Sequence, residues 1–433
     1  MPLKILIIGA GIGGPALALL LKRSNASHSI TVVERYPGVR HNGLQIDLRA
    51  QGIDVIRRLG LIDTIREKTV PEKGMAFMDS KGKTRAVFGV NDSGKGQQSL
   101  TSEFEIMRGD LVEVLYQASL KESENPVKNE LDGQQGTEGV AGLHYEFNKS
   151  VVELTQDASG VNVTFSDGET GRYDLVVGAD GQGSRTRRML FGEKAGEAMF
   201  RPLNVFCGYF TLPRQPDEDG FARWYHAREC RTIFTRSGNP RGPTQACFLY
   251  RSDDEKVRKS IVRQPVEAQK EAFARLFQNS GWQEERMIKG LHESTDFFGQ
   301  EIGQVKCEHA YKGRVALLGD SGYCPSPVTG LGTTLALVGA YVLAGELMRH
   351  SDDVPAALRA YDTIMRPYVD RAQKLAPGIP DLLLIKRGWG ITLFHAITSI
   401  ISKLKVDQII NQIMPENKGG LKIPEDPELK LAQ

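Results

Sequence analysis

At 433 residues the chain is long enough, by a prior of about 100–200 residues per domain, for two or three domains. Its net charge of +2 with 25% charged residues is no polyelectrolyte signature, so a nucleic-acid partner is not implied. The five cysteines (Cys207, Cys230, Cys247, Cys307 and Cys324) are an odd number without paired metal-ligand spacing, which reads as reduced intracellular thiols and predicts no metal site.

Met1-Pro2-Leu3-Lys4 leads directly into an apolar strand, leaving no room for a signal peptide, and no run of about 18 uncharged apolar residues follows to span a membrane. A cytoplasmic protein is expected. The strand Leu3 to Ile8 runs into Gly9-Ala10-Gly11-Ile12-Gly13-Gly14 and then a helix from Pro15 to Lys22. In such a turn Gly9 permits the tight bend, Gly11 lets backbone approach a pyrophosphate, and Gly14 allows close helix–strand packing. A second strand, Ser29 to Val33, ends at Glu34, which falls 20 residues after Gly14 and is placed to accept both ribose hydroxyls of an adenosine. The competing reading is a glycine-rich turn at some other α/β switch point; the acid at this distance favours a dinucleotide. Glu34 also disfavours a 2′-phosphate on that nucleotide, since like charges repel.

Gly38 and Gly43 punctuate a loop before the strand-like Leu44 to Leu48. Gln51 to Glu67 has helical spacing, Met75 to Val90 alternates like strands and turns, and Asn91 to Gly96 reads as a loop. A helix is expected to open over Phe104 to Leu111 with Asp110 as its cap, and the polar stretch Lys121 to Gly142 as a mobile surface insertion. Val151 to Leu154 and Val161 to Phe165 form a hairpin, and Tyr173 to Gly178 is a buried strand entering Gly178-Ala179-Asp180-Gly181. Pro202 to Arg251 suggests an antiparallel sheet, Ser260 to Phe277 a helix, and Val315 to Leu318 a strand ending in Gly319-Asp320. Pro325-Ser326-Pro327-Val328-Thr329-Gly330-Leu331-Gly332 then leads into a small-residue-rich helix from Gly330 to Met348.

Each of these three glycine-bearing segments is a weak signal alone. In this order, with Ser184 and Arg187 after the second, Glu34-Arg35, Arg108 before Asp110-Leu111, and Tyr361 with Arg366-Pro367, the chain resembles the single-component FAD-dependent aromatic hydroxylases with the fold of p-hydroxybenzoate hydroxylase. The resemblance runs from Pro2 to about Asp370. Within that group Gly43-Leu44-Gln45-Ile46-Asp47-Leu48 resembles the branch that includes tetracycline-inactivating monooxygenases. It implies an α/β protein with a discontinuous Rossmann-like FAD-binding domain (1–74, 101–190, 305–375), an antiparallel-sheet substrate domain (75–100, 191–304) and a C-terminal bridging helical segment (376–433).

The resemblance assigns cofactor contacts to Gly9, Gly11, Gly14, Glu34, Arg35, Arg108, Asp180, Asp320, Gly330, Leu331, Gly332 and Thr333. Asp320 would accept from the ribityl hydroxyls, and the N–H groups at the start of the Gly330 helix would stabilise negative charge on the reduced ring. On their own, Arg108 reads as a surface arginine at a helix start and Asp320 as a turn cap. Arg40 reads equally as a nucleotide-steering or a solvated loop residue, and His41 as an ordinary loop histidine rather than a flavin attachment point.

Pro327, Tyr209, Trp224, Tyr225 and Phe248 are candidates to line a substrate pocket, with Arg223 or His226 available to a phenolate; core packing is the rival reading of each. The resemblance implies NADPH or NADH as reductant, O₂ added at the flavin C4a carbon, and a hydroxylated aromatic, phenolic or polyketide-like small molecule of secondary metabolism, tetracycline-like by branch. Baeyer–Villiger or epoxidising chemistry and a non-catalytic flavin-fold carrier are the alternatives. A monomer or weak oligomer is expected, and membrane contact through the apolar C-terminal stretch stands as the alternative to its bridging role. The chain departs from the family where Ser321-Gly322-Tyr323 follows Gly319-Asp320 in place of Ala-Ala-His, where Thr334 replaces an asparagine, and where Gly339-Ala340 replaces Asp-Ala.

Overall fold

A six-stranded sheet forms one half of the molecule, in the order 311–312, 315–317, 175–178, 4–8, 29–34, 143–147. The computed structural model describes residues 1–41, 43–89, 104–124, 142–240, 242–404, 422–426, 429 and 431. The loop expected at 91–96 and most of the polar insertion expected at 121–142 lie outside them.

All pairings in this sheet are parallel except that of its edge strand 311–312. Strand Lys4–Ile8 is central and pairs Ile5 to Ile8 with Leu175 to Gly178 on one side and with Ile30 to Val33 on the other. Both faces are covered, which is why these strands are continuous apolar runs. Helices Gly13–Ser24, Arg108–Ser123, Gly332–Arg349 and Val354–Ala372 bury their apolar sides in one core with Ile5, Ile7, Leu175 and Val177. The small antiparallel sheet of 151–156, 161–165 and 170–173 packs on the opposite face.

The other half is a seven-stranded sheet in the order 298–305, 200–212, 244–251, 231–236, 221–227, 74–78, 84–89. It is antiparallel apart from the parallel pair of 221–227 with 74–78. Phe206, Phe210, Tyr225, Ile233 and Phe248 point to the face covered by helices Val266–Phe277 and Glu284–Glu293. Val205, Cys207, Tyr209, Cys247 and Phe234 point to the other face, toward the first half of the molecule.

Several expected elements are cut differently. The expected 51–67 helix is two, Gln51–Arg58 and Ile62–Glu67, because Gly60 adopts φ +64° between them. The expected 260–277 helix is Glu255–Ile261 and Val266–Phe277, interrupted at Arg263 and Pro265. Residues 105–107 are a strand paired with 45–47, so the next helix starts at Arg108, with Met107 at the cap position and Asp110 inside the first turn. The stretch from Tyr173 also divides, since Thr170–Tyr173 belongs to the small antiparallel sheet and Leu175–Gly178 to the parallel one.

The C-terminal region touches both halves. Leu383 and Leu384 pack on the inner face of the large sheet, and helix Gly388–Lys403 lies along strand 84–89, where Ser402 Oγ donates to the Val87 carbonyl (2.8 Å). Ile423 and Leu429 return to the core of the first half, and the Asp426 carboxylate pairs with Arg349. Among the described residues no helix is long and apolar enough to cross a membrane.

Candidate functional site

The loops at the carboxyl ends of strands 4–8, 175–178 and 315–317 converge in one crevice, where ligands of open α/β sheets bind. Gly9 sits at φ +112°, and a Cβ there would lie 2.6 Å from the Ala179 carbonyl oxygen; at Gly14 it would lie 2.0 Å from the Gly9 carbonyl oxygen. Both obstacles are backbone, so only glycine allows this turn. Glu34 is held across the turn, its Oε2 accepting from the Ala10 N–H (2.9 Å) and its Oε1 from the Tyr36 N–H (3.1 Å). A carboxylate has about four acceptor positions, so each oxygen keeps one for a ligand hydroxyl.

Arg108 enters the crevice from the first turn of its helix. A Cβ on Gly11 would lie 3.4 Å from the Arg108 guanidinium, and one on Gly43 would lie 3.1 Å from its stem, so the two glycines form a cradle for this side chain. Burial and the neighbouring Arg40 lower its pKa, while Asp320 and Glu34 oppose that shift. No hydrogen bond or ion pair joins the guanidinium to any described residue. A largely buried cation without a hydrogen-bonding partner among the described residues, set between a glycine turn and two acids, suits a phosphate-bearing ligand.

Asp320 begins a short helical turn after Gly319 (φ +68°), its pKa raised by burial and opposed by the Cys324 thiol and Arg108. A Cβ on Gly332 would lie 3.6 Å from its Oδ1, so Asp320 faces the start of helix Gly332–Arg349. The first-turn N–H groups of that helix, at Gly332 and Thr333, have no intrahelical acceptor and carry the positive end of the dipole. Gly330 takes the left-handed conformation ahead of them, and the Leu331 N–H is held by the Thr329 hydroxyl (3.3 Å).

The side chains of Asp180 and Arg35 each have contacts within the protein. Asp180 accepts from the Ser184 hydroxyl (2.6 Å) and from both the N–H and the hydroxyl of Thr186 (3.0 and 3.1 Å), which fixes the turn into helix Arg185–Phe191. Arg35 is exposed and lies over the Tyr36 ring, with Arg40 over the same ring. His41 is exposed and lies 3.8 Å from Glu113. Arg187 is fully buried and donates to the carbonyls of Gln182, Gly196 and Ser321, so it locks the second glycine segment to the third.

The departures from the family pattern prove to be connected. Tyr323 donates or accepts with the Tyr361 hydroxyl (2.9 Å), and a Cβ on Gly339 would fall 2.0 Å from the Tyr323 hydroxyl. A bulky residue at 323 therefore requires the missing side chain at 339. Ser321 Oγ donates to the Gly178 carbonyl (2.5 Å), and Thr334 Oγ1 to the Arg49 carbonyl (2.9 Å), so both substitutes act as ties between segments.

The loop Pro327–Thr329 faces the large sheet, and Val328 packs on the layer that contains Tyr209, Cys247 and Phe234. Trp224 belongs to this inner face, 5.0 Å from the Phe234 ring, and its Nε1 donates to His226 Nε2 (3.0 Å). Burial lowers the His226 pKa to about 4, so the imidazole is neutral at pH 7. Strand alternation turns three of the candidates to the outer side. Phe248 stacks on Phe277 (4.1 Å) in the outer core, and Arg223 points to the same outer side, paired with Asp219. Tyr225 is likewise outward, its hydroxyl donating to the Ser280 carbonyl (2.6 Å).

One cluster at the end of the inner face joins residues that no single motif links. Arg236 pairs with Glu72 (2.7 Å) and with Glu105, and lies 5.7 Å over Phe234. Gln45 donates its side-chain amide to Glu105, and its backbone N–H donates to Gln245 Oε1 (2.9 Å). Burial, the largest cause, raises the Glu105 pKa to about 7, with Glu72 and Asp47 adding to it against Arg236. The four elements that meet here are distant in sequence.

The crevice fits a dinucleotide flavin, since it has backbone room at the glycines, a cation for the pyrophosphate region, an acid for hydroxyls at each end, and a helix N-terminus facing the inner wall. Residues 2–376 match the family described as FAD binding domain. The chain is 42% identical to FAD-dependent monooxygenase asL6 of Sarocladium schorii, with 100% of both chains covered, and 36% identical to flavin-dependent monooxygenase eupH of a Phoma species, with 91% of each covered. Its fold is similar to the crystal structure of tetracycline destructase Tet(51), with a TM-score of 0.75, 28% identity, and 98% of this chain and 100% of that one covered.

Proposed function

The chain belongs to the FAD-dependent monooxygenases, and from that premise we propose that it uses NADPH or NADH to hydroxylate an aromatic, phenolic or polyketide-like small molecule held between the Pro327 loop and the inner face of the large sheet. The observation that carries this reading is the composition of that wall. Tyr209, Trp224, Phe234, Cys247 and Val328 offer apolar and aromatic area for a planar ring, and the single imidazole among them is neutral.

Bound FAD supplies the electron transfer and oxygen activation. The residues of this chain bind and orient it. Glu34 would accept from the adenosine ribose, Arg108 would hold the pyrophosphate region, Asp320 would accept from the polyol, and the N–H groups of Gly332 and Thr333 would favour negative charge beside them. Arg35, Asp180, Gly330 and Leu331 contribute through backbone and loop geometry. Pro327 and the aromatic wall exclude water, which protects an oxygenating centre from unproductive release of hydrogen peroxide. At the end of the wall, the Arg236, Glu72, Glu105 and Gln45 cluster places polar groups beside the aromatic area.

Anaerobic mixing with NADPH tests the reading, with flavin bleaching followed with and without a panel of phenolic polyketides and tetracyclines. Bleaching accelerated by one class supports the proposal and identifies the substrate class. Equal, slow bleaching with every compound refutes the proposed aromatic site.

A further inference from the structure

Helix Gly388–Lys403 leaves half of its circumference without a partner among the described residues. Trp389, Leu393, Ile397, Ile400 and Leu404 recur at intervals of three or four residues and are 66%, 51%, 49%, 59% and 63% exposed. Such spacing places all five on one side of the helix. Soluble surfaces carry scattered apolar residues, but a continuous stripe of this kind marks an interaction face.

The charge pattern selects the occupant. No residue from Gly388 to Ser402 is charged, and the charges that flank this stretch are Lys386 and Arg387 at one end and Lys403 at the other, all exposed. Arg228 lies against Gly388 at the first end. An apolar stripe bracketed by cations, with an indole at its border, complements an anionic lipid surface, where tails take the stripe and headgroups take the lysines and arginines. A second copy of the chain would bring the same cations together. The helix is too short and too interrupted by polar groups to cross the bilayer.

We propose that this face docks the enzyme in the plane of an anionic membrane surface. The opposite side of the same helix reaches the inner wall of the site: Phe394 packs 4.7 Å from His226 and 5.1 Å from Phe77. One element thus touches both the lipid surface and the aromatic wall, so an apolar substrate dissolved in the bilayer has a short path to the site.

Full-length, flavin-loaded protein is floated with vesicles of phosphatidylcholine alone and with added phosphatidylserine, at low and high salt, while light scattering records its mass without lipid. The proposal expects binding that increases with phosphatidylserine and falls with salt. It also expects Leu393→Glu with Ile397→Glu to lower the partition coefficient by at least about tenfold, and Lys386→Glu with Arg387→Glu to remove the phosphatidylserine preference. Retained flavin absorbance and unchanged NADPH-dependent flavin reduction show that these variants are folded. No binding to either vesicle by the wild-type protein overturns the proposal. A dimer dissolved by Leu393→Glu with Ile397→Glu assigns the face to a second copy instead. Trp389 fluorescence already shielded from acrylamide without lipid assigns it to the chain's own residues 405–421.

Discussion

The two halves of this molecule specify their sites by different means. In the parallel-sheet half the site is made by backbone, and glycines at 9, 11, 14, 43 and 332 mark where a ligand or another segment approaches. In the antiparallel half it is made by side chains on one face of a sheet, and consecutive residues on a strand serve opposite purposes. Trp224 faces the site while Arg223 and Tyr225 face the outer core. A backbone site can be read from residue identity in short windows; a sheet-face site requires the register.

The largest test of that contrast is on the sheet. Phe248→Ala is expected to cost about 3–5 kcal/mol of stability in urea denaturation, because it empties the outer core, while kcat/KM per folded molecule stays unchanged. Trp224→Ala is expected to do the reverse, with a small stability loss and KM raised about tenfold. Equal effects on both quantities would dissolve the distinction between the faces.

Gly14→Ala tests the backbone half. Its Cβ would meet a carbonyl oxygen that cannot move without opening the turn, so flavin content after purification should fall about tenfold or more. Arg108→Ala sharpens the point: with no hydrogen-bond partner among the described residues to orphan, it should leave the melting temperature of the apoprotein unchanged yet weaken FAD binding by about 10–100-fold. Gly339→Ala is expected to destabilise by about 1–3 kcal/mol, and Tyr323→Phe in the same chain to recover part of it, a coupling that a double-mutant cycle measures.

The smallest expected effect is on pH dependence. The Glu105 pKa is raised from an ordinary 4.5 to about 7, so its contribution to stability is present below pH 4.5 and is lost as pH rises through 7. Glu105→Gln should therefore gain on the wild-type protein by on the order of 1–2 kcal/mol between pH 5 and pH 8, in chemical denaturation at a series of pH values. A constant difference across that range would mean that Glu105 is ionised throughout.

Much of the first half was legible because its signals are local. The turn at Gly9–Gly14, the acid at Glu34 and the strand before Gly178 depend on neighbours in sequence, and together with the later glycine segments they carried the resemblance that implied the fold class. Helix ends were less legible, since Gly60 and Arg263 break apolar periods that continue through them. Asp180 shows what a motif leaves unsaid: the residue is where the pattern puts it, and its carboxylate also accepts from Ser184 and Thr186 to fix the following turn. Arg236, Glu72 and Glu105 had no signal, and Gln45 only its place in the Gly43–Leu48 segment, because only the docking of the two halves brings the four together. The Gly339–Tyr323 pair was visible as two unrelated departures, and only their contact explains why both occur.

Turnover under ¹⁸O₂ with NADPH and a phenolic polyketide, followed by mass spectrometry of the organic product, tests the central claim most directly. The account predicts one labelled oxygen atom in the product, with hydrogen peroxide a minor fate of the oxygen consumed. NADPH oxidation that returns all the label as hydrogen peroxide, whatever compound is supplied, would contradict it.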